Sequence, residues 1–214
     1  MAESKMELKK TTIPWISVLL FLFFLAFFVR TSSPNVQFGD NAEFVTAAWV
    51  LGICHNPGYP LQIIIGNTIE RLLPIASVSA RMNLLSGLAG ALAGLIMFHL
   101  LIRLHISVYA SFSALALFVL SPLHWGQSTL FEVYTIDGLW ILVNLFLLLK
   151  AFENYKWALL FCFTTAIAPI LHLSQILYWP VYVMAIVLVF RKHPAKHIWL
   201  IIILLFCLAF SVMI

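Results

Sequence analysis

Charged side chains are scarce in this 214-residue sequence, where Asp, Glu, Lys and Arg together make up 9%. Apolar residues make up 63%, and the mean hydropathy is +1.04, which is more than a soluble domain of this length can bury. Several apolar runs approach or exceed the length that crosses a bilayer. The composition therefore excludes a water-soluble fold and predicts a polytopic membrane protein.

Cysteine is also rare, and its positions share no spacing. Cys54, Cys162 and Cys207 lie far apart, and two of them fall inside apolar runs. This distribution argues against a disulfide framework and against a zinc cluster. The formal net charge of +4 does not indicate a nucleic-acid partner, because basic residues in a membrane protein chiefly set its orientation.

The apolar runs predict an all-α bundle of about seven membrane spans. Residues 1–12 are polar and basic, which predicts a cytoplasmic N-terminus, and residues 13–29 form a first span near the lower length limit. A cleaved signal peptide is the alternative interpretation of this start. The run 157–190 would measure roughly 50 Å as one helix, so we expect it to fold into two short spans near Pro169 and His172. The other spans are predicted at 81–102, 107–120, 138–152 and 198–214.

Two polar intervals separate these spans, at 30–79 and 122–137, and are predicted to be external loops. The first should contain two short interfacial helices, at 40–50 and at 59–73. With a cytoplasmic N-terminus, nine Lys and Arg residues fall inside, including those of the basic segment that opens 191–214, and three fall outside. This is the bias that the positive-inside rule requires, so both intervals should face the non-cytoplasmic side.

Four ordered blocks carry a resemblance to a known family. They are DNAEF at 40–44, LGICHNPGYPL at 51–61, RMNLLS at 81–86 and WGQSTLFEVYT at 125–135. Their order and spacing resemble the transmembrane protein O-mannosyltransferase family of the GT-C glycosyltransferase superfamily. That family includes the animal enzyme that acts on plexin-type receptors and many bacterial relatives. The chain departs from its pattern at Asn56, where relatives usually have proline, and at Leu171, where they often have asparagine.

The resemblance implies a fold, a reaction and a location. It implies a GT-C-like catalytic module over residues 13–190, in the bacterial inner membrane or the endoplasmic reticulum membrane. Such an enzyme moves mannose, or another hexose or pentose, from a polyprenyl-phosphate carrier to a hydroxyl of a protein, lipid or glycan on the periplasmic or luminal side. Because family members usually run well past this length, it also implies that the chain is a short form or a fragment that stops inside its seventh span.

Three acids of the predicted external loops are the candidate catalytic residues. The resemblance places Asp40 as the general base that takes the proton from the acceptor hydroxyl. Glu43 lies one helical turn later, where it would orient Asp40, bind the acceptor or help to hold a cation, and Glu132 is the acid of the second loop. A capping box, with Asp40 as N-cap and Glu43 bonded back to it, is the local structural alternative. The need for a divalent cation is left open, with these three acids as its candidate ligands.

The leaving phosphate requires cationic or N–H groups, and four residues are predicted to contribute to its binding. Arg81 can clamp a phosphate, and His55 can donate to it, with Asn56 and Tyr59 beside it on a rigid Pro-Gly-Tyr-Pro turn. Snorkelling at a helix end is the alternative role for Arg81, and a hydrogen-bonded turn residue is the alternative for His55. Asp137 is predicted to cap the N-terminus of the fourth span.

Two other functions are consistent with parts of the sequence. A polyprenol-lipid transporter or flippase would also place polar residues at membrane depth, although it should show inverted repeats and a site at the midplane. No internal repeat is evident, and the acids cluster at one face. A noncatalytic fragment of a larger glycosyltransferase is the second alternative, which a longer reading frame with more spans and a soluble domain would favour.

Overall fold

The computed structural model describes the backbone of residues 2–192 and the side chains of residues 15–192. Within that range the chain is helical and contains no strand, which confirms the all-α prediction. Helices and connecting turns follow each other directly along the chain. The elements are α1 Ala2–Thr31, α2 Asp40–Val50, α3 Pro60–Leu72, α4 Val78–Arg103, α5 Val108–Val119, α6 Pro122–Ser128, α7 Val133–Ala151, α8 Tyr155–Leu171, a 3-10 helix Leu173–Tyr178 and α9 Trp179–Lys192.

Three helical segments of the described chain are long and apolar enough to cross a membrane. They are Val78–Arg103, Val133–Ala151 and Leu173–Lys192, and a fourth exists if α5 and α6, bent by 63°, count as one span. Trp15–Thr31 and Tyr155–Leu171 are apolar but shorter. The described residues therefore contain three to four candidate spans, whereas the sequence predicted seven in the whole chain. The predicted seventh span, at 198–214, lies outside the described residues.

The break predicted within 157–190 occurs at His172. Helix α8 contains Pro169, which has no N–H to donate, and ends at Leu171. His172 then adopts extended backbone and its side chain accepts a hydrogen bond from the N–H of Ser174, which starts the 3-10 helix. The long apolar run is thus divided at His172 into two helical segments, Tyr155–Leu171 and Leu173–Lys192.

The first predicted loop is mostly helical, because α2 and α3 occupy the positions expected for interfacial helices. Helix α2 ends where Leu51 turns into the left-handed region at φ 53°, and Tyr59 does the same at φ 48° immediately before α3. Pro60 opens α3 at a position where its missing N–H costs nothing. Helix α3 stops at Leu72, just before Pro74. These turns fold the two helices back on each other.

The second predicted loop is also more structured than expected. Helix α6 fills its first half, and α7 begins at Val133 with Glu132 as its N-cap residue. The prediction that Asp137 caps this helix is therefore wrong, because Asp137 lies in the second turn. Its carboxylate instead accepts hydrogen bonds from the side chains of Gln175, at 2.6 Å, and Ser174, at 3.3 Å.

An apolar cluster holds α2, α3 and α4 together beneath the polar residues. Phe44, Met82 and Phe131 are fully buried in it, and Tyr59 is almost so. Gly66 allows the ring of Phe131 to approach, since a Cβ added at this glycine would lie 2.5 Å from that ring. Small residues of this kind let helices approach closely where van der Waals packing is the main attraction. The cluster fixes the start of α2 against the start of α7.

Candidate active site

Asp40 is the first residue of α2 and is only partly buried. Gly39 precedes it with φ 83°, a left-handed conformation that suits glycine and turns the chain into the helix. Among the described side chains and backbone groups, the Asp40 carboxylate accepts no hydrogen bond. This acid therefore has unengaged oxygens at the N-terminal end of a helix.

Glu43 lies one turn later and is fully engaged by His55. One carboxylate oxygen accepts from the imidazole Nδ1–H at 2.8 Å, and the other accepts from the backbone N–H of the same residue. A capping box would instead direct Glu43 to the start of its own helix, and α2 has no side-chain cap. The capping-box alternative is therefore wrong, and Glu43 fixes the turn that carries His55.

The pair shifts both ionisation equilibria toward the charged forms. Hydrogen bonding to His55 lowers the pKa of Glu43, first through the side chain and then through the backbone. The hydrogen bond to Glu43 raises the pKa of His55 against a smaller opposing effect of desolvation, and the charge of Asp40 raises it further. Both side chains are about 40% exposed, at 42% for His55 and 41% for Glu43. The pairing thus widens the pH range over which His55 is an imidazolium and Glu43 is a carboxylate.

Glu132 reaches the same place from the other predicted loop. Its side chain is nearly buried, and the Gln127 side chain and the backbone N–H of Asn41 lie near enough to lower the pKa of its carboxylate. Burial raises the pKa of Glu132, and the neighbouring charge of Asp40 raises it further. Because Gly39 offers no side chain, Glu132 is the residue that brings a carboxylate from a distant segment close to the N-terminus of α2.

Two buried amides align these segments, and neither was predicted to have a role. Asn41 donates to the carbonyl of Phe131 at 3.3 Å and accepts from the backbone N–H of Gln37 at 2.9 Å. Asn83, on α4, accepts from the N–H of Phe131 at 2.7 Å and donates to the carbonyl of Ser33 at 2.9 Å. Both asparagines stand in family-like blocks, but only their fully buried positions reveal what they bind.

In the turn after α2, Asn56 lies in solvent, whereas the rings of His55 and Tyr59 pack against each other. Asn56 is exposed, and a cis peptide bond joins it to Pro57. Tyr59 is buried, and its ring lies edge-on to His55 with centroids 5.3 Å apart and stacks on His172 at 5.7 Å. The turn therefore links the Glu43 pair to the break after α8.

Arg81 is held away from this group by other partners. Its guanidinium forms an ion pair with Glu70 at 3.2 Å and donates to the carbonyls of Glu70 and Leu73. Both charged side chains are 14% exposed. The described contacts thus anchor the C-terminal end of α3 to α4, and they include neither Asp40 nor His55. Binding of phosphate by Arg81 stays a prediction.

A divalent cation could be held by Asp40, Glu43 and His55, whose ligand atoms lie within 4.8 Å of one another. Carboxylate oxygens and an imidazole nitrogen are ligands that suit several divalent metals. Glu132 is not part of this group. A cation would have to displace hydrogen bonds that Glu43 makes with His55, so the observed arrangement is already internally satisfied.

A cavity of about 540 Å³ lies between α5, α6 and the start of α7. Gln127 and Tyr134 line it together with apolar residues of α5 and α6. This cavity combines an apolar wall with a few polar groups, as expected for a site that binds an amphiphile.

Comparison with known proteins identifies related chains. Residues 40–197 match the family described as the protein O-mannosyl-transferase TMEM260 N-terminal domain. Protein O-mannosyl-transferase TMEM260 of Mus musculus is 37% identical over 125 residues, which cover 58% of this chain and 18% of the mouse protein. The Dictyostelium discoideum protein of the same name is 28% identical over 160 residues, which cover 70% of this chain and 19% of the relative. The chain thus spans less than a fifth of these relatives. No solved structure matches it.

Proposed function

The chain belongs to the family of the protein O-mannosyl-transferase TMEM260 N-terminal domain, and from that membership we propose that it is the membrane module of a glycosyltransferase. The reaction moves mannose, or a similar sugar, from a polyprenyl-phosphate carrier to a protein hydroxyl. The curated relatives are named for protein O-mannosyl transfer, which supports a sugar donor and a protein acceptor. A helical membrane protein suits a donor whose carrier is a lipid.

The unengaged carboxylate of Asp40 is the observation that carries the assignment. Of the two acids on the first turn of α2, Glu43 has both oxygens bonded to His55, whereas Asp40 has no hydrogen bond among the described residues. A general base needs a free lone pair within reach of the proton that it accepts. Asp40 meets that condition, and we assign it as the base.

The proposed transfer is a single displacement with inversion at the sugar. The acceptor oxygen forms a bond to the anomeric carbon while the bond from that carbon to the phosphate oxygen breaks. The polyprenyl phosphate leaves with the bonding electron pair, and Asp40 takes the hydroxyl proton. The leaving group is already anionic, so the chemistry needs a cation beside it more than an acid.

His55 supplies that cation in our proposal. Glu43 raises the pKa of His55, so that the imidazole is protonated over a wider pH range. Its Nδ1–H is bonded to Glu43, and the second ring nitrogen of the imidazolium can donate to a phosphate oxygen. Glu43 is then a positioning residue, and Glu132 positions Asp40 through the N–H of Asn41.

The proposed active site faces the periplasm or the lumen of the endoplasmic reticulum. The support is the charge asymmetry of the sequence, which puts nine of twelve Lys and Arg residues on the opposite side. The acidic residues Asp40, Glu43 and Glu132 then lie together on the face that carries few basic residues.

The test is transfer of radiolabelled mannose from a polyprenyl-phosphate donor to a serine- and threonine-containing acceptor peptide, in membranes containing the protein. We expect Asp40→Asn to lower the transfer rate about 10²- to 10⁴-fold, the usual contribution of a general base. Glu153→Gln removes an acid from the other end of the molecule and is the matched control. Both variants must be present in membranes at the wild-type level.

Three outcomes separate the alternatives. Wild-type rates in Asp40→Asn would reject this residue as the base and turn attention to Glu132. Donor movement across vesicles without transfer would favour a polyprenol-lipid flippase. Transfer by a longer chain that continues past residue 214, but not by these 214 residues, would identify this module as a part that needs the remainder.

A further inference from the structure

Two cavities meet at Arg103, at the end of α4 away from Asn83. The first, of about 570 Å³, lies between α4 and α7 and has mostly apolar walls that include Ile96, Val143 and Phe146. The second, of about 530 Å³, is lined by Glu153 and Lys192 as well as apolar groups. Arg103 and Ile102 line both. Helix α4 has 26 residues and is about 39 Å long, so this place is a membrane thickness away from the proposed active site.

The polar groups at this junction are predominantly cationic. Arg103 forms an ion pair with Glu153, and Lys150 lies 3.7 Å from the same acid. With Lys192, three cations face one carboxylate, which leaves a formal excess of two positive charges. Arg103, Lys150 and Lys192 each stand in the last turn of a helix, where a cation is favourable. That local role does not explain the apolar cavity beside them.

We propose that the two cavities together bind one anionic phospholipid, with its phosphate at Arg103 and Lys150 and an acyl chain in the apolar cavity. The class of ligand follows from the position of an apolar cavity beside a cationic one. An apolar channel between two helices fits a hydrocarbon chain, and a cationic chamber at its open end fits an anionic headgroup. Basic pockets between transmembrane helices on the cytoplasmic side are a recurrent form of lipid recognition. This inference is independent of the proposed transfer reaction.

Glu153 allows a lipid site to be distinguished from a purely structural ion pair. As the one acid at the junction in the described structure, it competes with a lipid phosphate for Arg103. Removing its charge should therefore tighten lipid binding, while removing either cation should weaken it. A purely structural ion pair would behave differently, because loss of Glu153 or of Arg103 would then have the same destabilising effect.

The test uses the purified 214-residue chain in neutral detergent, titrated with phosphatidylglycerol or phosphatidylcholine, with bound lipid counted by native mass spectrometry. We expect wild type to prefer phosphatidylglycerol. Arg103→Gln should weaken that binding about fivefold, since one basic group near a membrane surface contributes roughly that much. Glu153→Gln should strengthen it. Lys156→Gln is the matched control, because Lys156 is exposed at the same end but lines neither cavity.

The acyl-chain part has its own variant. Ile96→Trp places a bulky ring in the apolar cavity, so it should lower the affinity for phosphatidylglycerol and leave weak binding of soluble glycerol phosphate unchanged. Size-exclusion profiles and helical circular dichroism confirm that each variant is folded.

Equal binding of the two lipids by wild type would overturn the proposal. So would an equal effect of Arg103→Gln and Lys156→Gln, or glycerol phosphate binding as tight as the lipid. A crosslink between the cysteine of an Ile96→Cys variant and a cysteine placed in residues 193–214 would show that the chain itself fills the apolar cavity. That result would also overturn the proposal.

Discussion

Both carboxylate oxygens of Glu43 accept hydrogen bonds from a single residue, His55, twelve positions along the chain. One bond comes from the imidazole and one from the backbone, so the side chain fixes both the ring and the loop that carries it. Asp40, three residues earlier on the same helix, has no such partner among the described groups. Neighbouring acids with different environments are assigned different tasks, and this difference can be measured.

Glu43→Gln should lower the pKa of His55. The pKa is raised in the wild-type protein chiefly by the hydrogen bond to the ionised Glu43, and a neutral amide gives less stabilisation to the imidazolium. Nuclear magnetic resonance titration of a ring carbon of His55, labelled in a detergent-solubilised sample, measures the change. Glu70→Gln is the control, since it removes an acid that pairs with Arg81 instead. An unchanged titration in Glu43→Gln would contradict the pairing.

The same pair predicts a pH window for its contribution to stability. The pKa of His55 is raised above its ordinary 6.5, so its contribution is complete below pH 6.5 and is lost as pH rises through the folded-state value. The pKa of Glu43 is lowered below 4.5, so its contribution is complete above pH 4.5 and is lost as pH falls. The difference in melting temperature between wild type and Glu43→Gln should therefore be largest between about pH 4.5 and 6.5. A difference that grows steadily toward alkaline pH would contradict it.

Glu132→Ala should destabilise the protein more than Glu132→Gln. Alanine removes the carboxylate that lies near the backbone N–H of Asn41, and a buried donor without an acceptor costs about 1–3 kcal/mol. Glutamine keeps an oxygen that can accept the bond. Thermal unfolding followed by circular dichroism in detergent compares the two variants. Equal stabilities would show that Glu132 does not cap α2, and a direct catalytic role would then be the better explanation for any loss of transfer.

Gly66→Ala should destabilise the packing beneath the site. The added Cβ would lie 2.5 Å from the ring of Phe131 and 3.0 Å from Ala48, so the ring must move. Overpacking of this kind typically costs about 1–3 kcal/mol. Gly138→Ala is the matched control in α7, because nothing lies within 4 Å of its added Cβ and alanine favours a helix. Equal melting temperatures for the two variants would show that α3 moves aside without cost.

Arg81→Gln and Glu70→Gln should both destabilise the protein. Each breaks one partly buried ion pair at 3.2 Å, and Arg81→Gln also removes donors from two carbonyls. We expect Arg81→Gln to be the more harmful, with the KM for the lipid-linked donor unchanged in both. A rise in that KM in Arg81→Gln alone would support the predicted phosphate contact of this residue over the structural role.

Much of the fold follows from local patterns in the sequence. The two short helices that contain Asp40 and Ile63 were predictable from apolar spacing and flanking prolines, and the break at His172 from Pro169 and from length. The count of seven spans stays a prediction, because the described parts of α1 and α8 are shorter than a full crossing and α5 bends into α6. Hydropathy measures the length of a run and carries little information on where the helix bends.

The candidate site was predictable in composition but not in its contacts. Sequence blocks brought Asp40, Glu43, His55 and Glu132 to attention, and the structure places all four around the start of α2. The bond from Glu43 to His55 depends on a turn whose path no periodic pattern describes. The contacts of Arg81 were also not predictable. This residue was assigned to phosphate because it is basic and lies near a loop, and the sequence did not indicate that Glu70, eleven residues earlier, is its ion-pair partner.

Asn83 joins the loop before α7 to α4 by accepting the N–H of Phe131, and it holds the segment after α1 through the carbonyl of Ser33. The two connections leave that loop little freedom to swing aside when a bulky acceptor approaches. The turn between Leu51 and Tyr59 is held as well, by the bonds of His55 to Glu43 and by the packing of Tyr59. The rim around Asp40 is therefore built from restrained segments, and we expect the shape of that rim to limit which acceptors fit.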